Sequence, residues 1–390
     1  MDMPVLTEDP VTRAKAVAGT IAASADALER TQRFPPPLLS ALHEARLFRL
    51  LLPHGAGGEE TSPWIYADAV VEVARHDGSV AWCMFVANSA ALIAAYLPEA
   101  VASEIFADPA ASVAWGPPNA HRARAVHGGY RVSGRWDFAS GCRHATWMGA
   151  HCQVEEPDGS LRLNRAGRPT IRSLLFPAGQ ATLIHTWDVI GLRGTASDSY
   201  EVHDLFVPEA CSTTREDPRL RRAPGRLYAF TQQGLYAVGV AAVALGLADA
   251  MLDAFMALAK EKTPRGLGRL ADNAVVQGQV ARMTASLGAA RAYLTHTLRE
   301  AWDGADEMAP LDVAARVRVR LACAQAILAA NEVSDRCYKA AGVTAIFEGS
   351  AFNRRFRDMH TLLQQIQSRE AHFEAVGQML LGIEPAAEFL

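Results

Sequence analysis

Residues 125–141 read AVHGGYRVSGRWDFASG, and they lie where the chain changes from helical to strand-like texture. From about Val113 onward, glycines, prolines and β-branched residues become frequent and apolar runs shorten to strand length. A Gly-Gly pair supplies the positive φ angles that a two-residue loop requires, so Ala125–Val132 is predicted to be a hairpin. Further strands are predicted at residues 173–177, 182–190 and 200–207.

The segments on both sides of this β region have helical patterning. Before it, apolar residues recur at helical spacing over Val17–Leu28, and Ser62-Pro63 has serine and proline where a helix start favours them. After Pro224-Gly225, long helices are predicted at residues 229–260, 275–303, 311–341 and 355–381. Four such helices imply a bundle, because each must bury its apolar stripe against another.

The predicted fold is therefore mostly α with a central β domain. Its three parts are an N-terminal helical domain at residues 1–111, a middle β domain at 112–225 and a C-terminal four-helix bundle at 226–390. One apolar segment, Val80–Leu97, approaches the length of a membrane span. It is rich in alanine, contains Asn88-Ser89 and ends at Pro98, so it is predicted to be a buried helix.

Composition excludes several classes of protein. The 390 residues carry a formal net charge of −4, which gives no broad basic surface for nucleic acid. The six cysteines form no CxxC pair, and Met1–Thr20 lacks the apolar core of a secretory signal, so a cytoplasmic protein is predicted. No metal and no bound nicotinamide are expected. The chain has no G-x-G-x-x-G, and the spacings of its clustered candidate ligands fit no zinc pattern: Cys142, His144, His151 and Cys152.

Motifs spread along most of the chain resemble, in the same order, those of the acyl-CoA dehydrogenase superfamily. They are Phe34-Pro35 with Leu52-Pro53, Ala114–Pro118, Gly128–Trp136, Gly191–Ser197, Arg265-x-x-Gly268 with Gln277, and Arg355–Asp358. In that superfamily the two β motifs lie along the flavin ring. The resemblance implies that Arg193 and Arg265 help to hold flavin phosphates or the loops around them. It also implies that Arg265 and Gln277 reach the flavin of a neighbouring subunit, as in a homotetramer.

Two departures separate this chain from the dehydrogenases. Their catalytic glutamate commonly lies in a motif that follows "R-D" by about eight residues, where this chain has no carboxylate. Phe347–Ser350 looks like that motif but precedes Arg357-Asp358. In its place stands Arg357-Asp358-Met359-His360, which resembles the "R-D-x-H" element of the group D, two-component flavin-dependent monooxygenases. Trp136–Gly141 is similar to their second marker, "W-x-F-A-S-G".

This resemblance implies an oxygenase component that receives reduced FAD or FMN from a separate NAD(P)H-dependent flavin reductase and forms a flavin hydroperoxide with O2. Such a species decays to peroxide unless water is excluded and its hydrogen bonds are held in place. Ser140 is expected to bond the redox nitrogen of the flavin, and His360 to act as an acid/base or as an anchor for a substrate hydroxyl. The predicted flavin-binding residues are Trp115, Pro117, Phe138, Ala139, Ser140, Gly141, Arg193, Arg265 and Gln277.

The substrate is less determined than the cofactor. Several phenol hydroxylases of this group carry a substrate-binding histidine near position 90, where this chain has Asn88-Ser89-Ala90. Asn88 is a candidate substrate contact, and a small aromatic or heteroatom-containing substrate is expected. Two alternatives stay open from the sequence: an acyl-CoA dehydrogenase-type oxidoreductase with Glu348 as a displaced base, and a non-catalytic flavin-binding relative.

Overall fold

The computed structural model describes residues 8–215 and 217–383, so the ends of the first and third predicted domains lie outside the described residues. Helices, with their 3-10 turns, make up 57% of the described residues. The N-terminal helices are α1 (Pro10–Thr31), α2 (Pro36–Glu44), α3 (Pro63–His76), α4 (Gly78–Ala91) and α5 (Glu99–Ile105). The strands are β1 (Val113–Trp115), β2 (Arg122–Val126), β3 (Gly129–Ala139), β4 (Trp147–Glu155), β5 (Ile171–Pro177), β6 (Thr182–Ile184), β7 (Asp198–Pro208) and β8 (Ser212–Thr213). The C-terminal helices are α6 (Gln232–Glu261), α7 (Ala274–Asp303), α8 (Val313–Ala341), α9 (Ala351–Leu362) and α10 (Ala371–Leu380).

These elements confirm the predicted order of helices, sheet and helices. The domain boundaries stay predictions, although every strand of the sheet lies between residues 113 and 213. The predicted helix start at Ser62-Pro63 is confirmed, since α3 begins at Pro63. Asp9 and Asp77 cap α1 and α4 with their carboxylates, which accept hydrogen bonds from otherwise unpaired N–H groups of the first turn.

The apolar segment near residue 90 is a core helix, as predicted. Every residue of α4 is buried, and the helix continues as a 3-10 turn over Leu92–Tyr96. Helix α6 is also apolar and long enough to cross a membrane, and 89% of its most apolar window is buried inside the protein. Both helices therefore bury their apolar surface against other parts of the chain, chiefly in the main helical core.

The sheet has eight strands in the order β6-β7-β3-β2-β4-β5-β8, with β1 pairing in parallel to β4. The predicted hairpin exists, but its loop is His127-Gly128, and Gly129 is already the first residue of β3, paired with Val126. Gly128 has φ +77, so one glycine supplies the left-handed angle of the turn. The strand predicted at 182–190 is shorter, because its second half is a loop bonded to Asp198.

The last predicted helix, 355–381, is two helices. α9 begins earlier, at Ala351, because the Ser350 side chain caps it by accepting a hydrogen bond from Phe352 N at 3.2 Å. A break follows between Leu362 and Ala371, where the Gln365 side chain accepts from Gln367 N. The break places His360 in the last turn of α9.

Candidate active site

A bulge near the end of β3 builds the first wall of the site. The pairing of β3 with β7 shifts register between Trp136 and Ala139, which are both fully buried. Phe138, between them, has φ 62 and is 64% exposed. A bulky residue in the left-handed region is a strained conformation that concentrates at functional sites. The bulge therefore turns one aromatic ring outward while its neighbours pack inward.

The Trp115–Pro117 segment lies directly beside this bulge. Gly116 permits the close approach, because a Cβ there would lie 2.3 Å from the carbonyl oxygen of Asp137. Trp115 is partly buried at the end of β1, and Pro117 is exposed. The structure thus brings the predicted flavin-lining residues of both β motifs together at one end of the sheet.

Ser140 belongs to a chain of buried hydroxyls. Its Oγ accepts a hydrogen bond from Trp82 Nε1 at 3.1 Å and lies 2.6 Å from Ser197 Oγ. Ser197 Oγ is 2.8 Å from Thr195 Oγ1, which donates to the carbonyl oxygen of Leu192 at 2.8 Å. A carbonyl oxygen can only accept, so Thr195 uses its hydroxyl proton on Leu192 and must accept from Ser197. Ser197 then has no proton left for Ser140, so Ser140 donates to Ser197. Ser140 Oγ then keeps one lone pair for an outside donor.

The Gly191–Ser197 loop connects this hydroxyl chain to α9. The buried Asp358 carboxylate accepts a hydrogen bond from Leu192 N at 2.6 Å. Gly191 packs so closely against α9 that a Cβ would lie 2.1 Å from the carbonyl oxygen of Arg357. His360 follows Asp358 by two residues. The start of the loop therefore holds the α9 turn that carries His360, and its end holds Ser140 through Ser197.

His360 is partly exposed and has a carboxylate partner. Its Nε2 lies 3.2 Å from Asp335 Oδ1 of α8, and its side chain is 33% exposed. Its ring centroid lies 4.2 Å from that of Phe356, which stacks on Tyr338. If Nε2 donates to Asp335, the neutral ring keeps Nδ1 as a proton acceptor, so the carboxylate fixes the tautomer.

Two buried carboxyl groups lie behind the loop. Burial, the neighbouring Asp77 and Glu29 raise the pKa of Asp358 to about 7, against the lowering effect of the Leu192 N–H and Arg357. Burial also raises the pKa of Asp77 to about 6. Both groups line a cavity of about 210 Å³. Sequence reasoning missed this pair, because only the fold brings residues 77 and 358 together.

Arg193 is engaged within the protein. Its Nη1 donates to the carbonyl oxygen of Val189 at 3.0 Å, and its Nε lies 3.8 Å from Glu29, which also pairs with Arg357. These contacts favour the loop-holding role among the two that the resemblance implies. Arg265 is exposed on the α6–α7 connection and makes no contact with a described side chain, while Gln277 Nε2 donates to Ala271 O at 2.9 Å.

Asn88 is enclosed in the core, and its side-chain amide is paired with backbone groups. Its side chain is fully buried, and its Nδ2 donates to the carbonyl oxygens of Leu47 and Met84 at 2.7 and 2.9 Å. Its Oδ1 accepts from Leu51 N at 3.1 Å. The candidate substrate contact is corrected accordingly: the amide joins α4 to the segment after α2, because buried polar groups must be paired.

Glu348 lies in the exposed turn before α9, whereas His360 is near the other end of that helix. The 12 residues of α9 span roughly 18 Å at about 1.5 Å per residue, which separates the two candidates. Among the described residues, no group of three or more His, Cys, Asp or Glu side chains could hold a metal ion.

Comparison with known proteins gives two family matches and many relatives. The family model for the acyl-CoA dehydrogenase N-terminal domain matches residues 12–109, and that for the C-terminal domain matches residues 238–369. The chain is 28% identical to an indole-3-acetate monooxygenase of Pseudomonas putida, over 93% of this chain and 91% of the relative. It is also 28% identical to the oxygenase component of an FADH2-dependent resorcinol hydroxylase of a Rhizobium species, over 97% and 95%.

Solved structures share the fold. XiaF from a Streptomyces species, in complex with FADH2 and glycerol, superposes with a TM-score of 0.88 at 24% identity, covering 97% of this chain and 96% of that one. At this identity the likeness speaks for the fold alone. The sequence relatives carry the comparison of activity, since by name one is a monooxygenase and the other is an FADH2-dependent hydroxylase.

Proposed function

The chain belongs to the acyl-CoA dehydrogenase family, and from that premise we propose that it is a flavin-dependent monooxygenase and assign the roles of its residues. It is the oxygenase component of a two-component system and inserts one oxygen atom of O2 into a small aromatic substrate. A separate NAD(P)H-dependent reductase supplies reduced FAD or FMN. The protein works in the cytoplasm, without a metal and without a nicotinamide site of its own.

The hydrogen-bonding groups of the site complement those of a reduced flavin. A reduced isoalloxazine has N–H groups, and Ser140 Oγ keeps one lone pair after bonding to Trp82 and Ser197. Phe138 offers an exposed ring face beside it, and Trp115–Pro117 borders the same edge of the sheet. When bound, the flavin supplies the electrons that activate dioxygen. The single observation that supports the site assignment is this directed hydroxyl chain ending at Ser140.

His360 is the proposed proton-handling residue. Asp335 orients the ring through Nε2, so Nδ1 is the atom that accepts or donates the proton in the reaction. The Gly191–Ser197 loop keeps His360 and Ser140 in a fixed relation, because its Leu192 bonds to Asp358 and its Thr195 and Ser197 lead to Ser140. Arg265 and Gln277 would complete the site from a second subunit.

A reductase-coupled assay tests the proposal. The protein, a flavin reductase, NADH and FAD or FMN are incubated under ¹⁸O2 with a panel of phenols, indoles and aryl acids. One ¹⁸O atom per product molecule is expected, with NADH consumption that depends on the substrate. Acyl-CoA-driven dye reduction without oxygen incorporation would instead support the dehydrogenase alternative, and the absence of both reactions would support a non-catalytic flavin-binding protein.

A further inference from the structure

Arg215 lies against the predicted flavin-lining residue Trp115 and has no counter-ion among the described residues. Its guanidinium carbon is 5.0 Å from the centroid of the Trp115 ring, a cation–π distance. Its Nη1 is buried and has no hydrogen-bond partner. Across residues 8–215 and 217–383, no carboxylate pairs with it. A guanidinium prefers bidentate carboxylate or phosphate partners, so the unpaired Nη1 of Arg215 is suited to an anionic ligand.

The surroundings of Arg215 do not compensate its charge. Burial lowers the pKa of Arg215 to about 10, and the nearby Tyr96 is the group that opposes this shift. Burial, followed by the charge of Arg215, lowers the pKa of His151 to about 3, so that ring is neutral and bonds to Ser173 Oγ at 2.8 Å. A buried cation without a partner is costly, and proteins normally pair it.

Several other arginines of the chain have the carboxylate partner that Arg215 lacks among the described residues. Arg13, Arg143 and Arg162 are each paired with a carboxylate at 2.5–2.7 Å. Arg320 also has unpaired nitrogens, but it is only 2% exposed in the helical bundle, so a ligand cannot reach it. Arg215 is partly exposed. Burial raises the pKa of Tyr96, the charges of Arg221 and Arg215 lower it and that of Asp217 raises it, so two cations and one carboxylate lie around this phenol.

Arg215 and Tyr96 lie next to the candidate active site. Trp115, under Arg215, ends the β1 strand, and the next residue, Gly116, contacts the β3 bulge at Asp137. Tyr96, which ends the 3-10 turn after α4, lies close enough to Arg215 for the two groups to interact electrostatically. An aromatic ring on the Trp115 side would therefore direct an acidic substituent toward Arg215 and Tyr96.

We propose that Arg215, with Tyr96 and the face of Trp115, binds the carboxylate of the substrate, which makes this enzyme an oxygenase of aromatic carboxylic acids. This inference rests on the proposed function. An oxyanion at Arg215 has two possible sources, a substrate carboxylate or a flavin phosphate. The substrate is favoured because Trp115 is predicted to line the flavin ring, and the ribityl chain of a flavin separates its phosphate from that ring.

Binding measurements test the inference separately from turnover. Isothermal titration of the flavin-loaded protein compares phenylacetate and indole-3-acetate with their neutral amides. The wild type is expected to bind at least one acid roughly ten- to hundredfold more tightly than its amide, the range typical of a charged hydrogen bond. Arg215→Met, which keeps the aliphatic stem on Trp115, should abolish the preference without weakening the binding of the amide. Arg219→Met, an exposed arginine paired with Asp217, is the matched control.

Three outcomes overturn the inference. If the wild type binds acids and amides equally, or binds neither, Arg215 is not an anchor for a substrate carboxylate. This outcome is read from the wild type alone. A loss of flavin affinity in Arg215→Met, with the acid preference retained, assigns the guanidinium to a flavin phosphate. An equal loss in Arg219→Met makes the effect nonspecific. Oxygenation of neutral aromatics by the wild type would leave the proposed function standing in each case.

Discussion

At the scale of single residues, Phe138 has a conformation that its side chain alone disfavours. A left-handed backbone costs a residue with a Cβ on the order of 1–2 kcal/mol, so the rest of the fold must hold it there. Its ring is exposed and meets Trp187 edge-on, with the centroids 6.3 Å apart. An exposed aromatic held in this way is suited to cover a planar ligand.

Phe138→Ala is therefore expected to weaken flavin binding by about fivefold, the equivalent of one lost aromatic contact of about 1 kcal/mol. Equilibrium dialysis with FMN and FAD measures the effect. Phe206→Ala removes a partly exposed phenylalanine of β7, outside the proposed site, and serves as the control. Unchanged flavin affinity in Phe138→Ala would remove this residue from the cofactor site.

His360→Ala is expected to separate oxygen use from product formation. The product rate should fall on the order of a hundredfold, because one acid/base group is lost, while oxygen uptake continues and yields hydrogen peroxide. Rapid mixing with reduced flavin, oxygen and substrate measures both rates. Glu348→Gln is the control and should change little, since its side chain is exposed and its sequence position differs from that of the dehydrogenase base. The reverse ranking would refute the assignment of the site.

At the scale of elements, the contact between α9 and the Gly191–Ser197 loop depends on the Asp358 carboxyl. With a pKa of about 7 in the folded protein and 3.8 as its ordinary value, this group binds more protons in the folded state between about pH 4 and pH 7. The stability it contributes is fully present below about pH 4 and is lost as the pH rises through 7. Asp77 and Glu29 strengthen this trend, and Arg357 opposes it.

Asp358→Asn should therefore flatten the fall in unfolding free energy between pH 5 and pH 8. The amide oxygen can still accept from Leu192 N, but the side chain no longer ionises. Urea unfolding at both pH values measures the difference. Asp204→Asn, at a carboxylate with 78% side-chain exposure, should keep the wild-type dependence. Equal slopes in Asp358→Asn and the wild type would show that Asp358 does not titrate in this range.

At the scale of the whole molecule, the surface around Arg265 and Gln277 indicates contact with another chain. Leu267 and Val275 flank these residues and are 68% and 64% exposed. Exposed apolar side chains beside functional polar ones mark protein interfaces. The homotetramer stays a prediction, and its physical argument is that Arg265 has no partner among the described residues of its own chain.

Sedimentation should give a tetramer at micromolar concentration, and the purified protein should be pale, since oxidised flavin is expected to leave easily.

Arg265→Met should lower flavin affinity roughly tenfold, as expected for one lost charged contact. Arg165→Met, on an exposed loop of the β domain, is the control. A fully active monomer would contradict a site shared between subunits.

The sequence by itself determined the order of helices and strands, because hydrophobic periodicity, caps and turn residues act over a few neighbours along the chain. It also determined the family, since the "W-x-F-A-S-G" and "R-D-x-H" motifs are contiguous. The sequence placed the hairpin loop at Gly128-Gly129, one residue later than the observed His127-Gly128. It also did not reveal the break after α9, where a single hydrogen bond to the Gln365 side chain decides the boundary.

Only the tertiary structure decided what each polar side chain contacts. It assigned Asn88 to the core, Arg193 to Glu29 and the loop carbonyl, and Ser140 to Trp82 and Ser197. It also brought together Asp77 with Asp358 and Arg215 with Trp115. Ser140 and Ser197 are 57 residues apart and Asp77 and Asp358 are 281 apart. Such separations have a physical reason: a buried polar group must find its partner across the packed elements, and no local pattern records which one it finds.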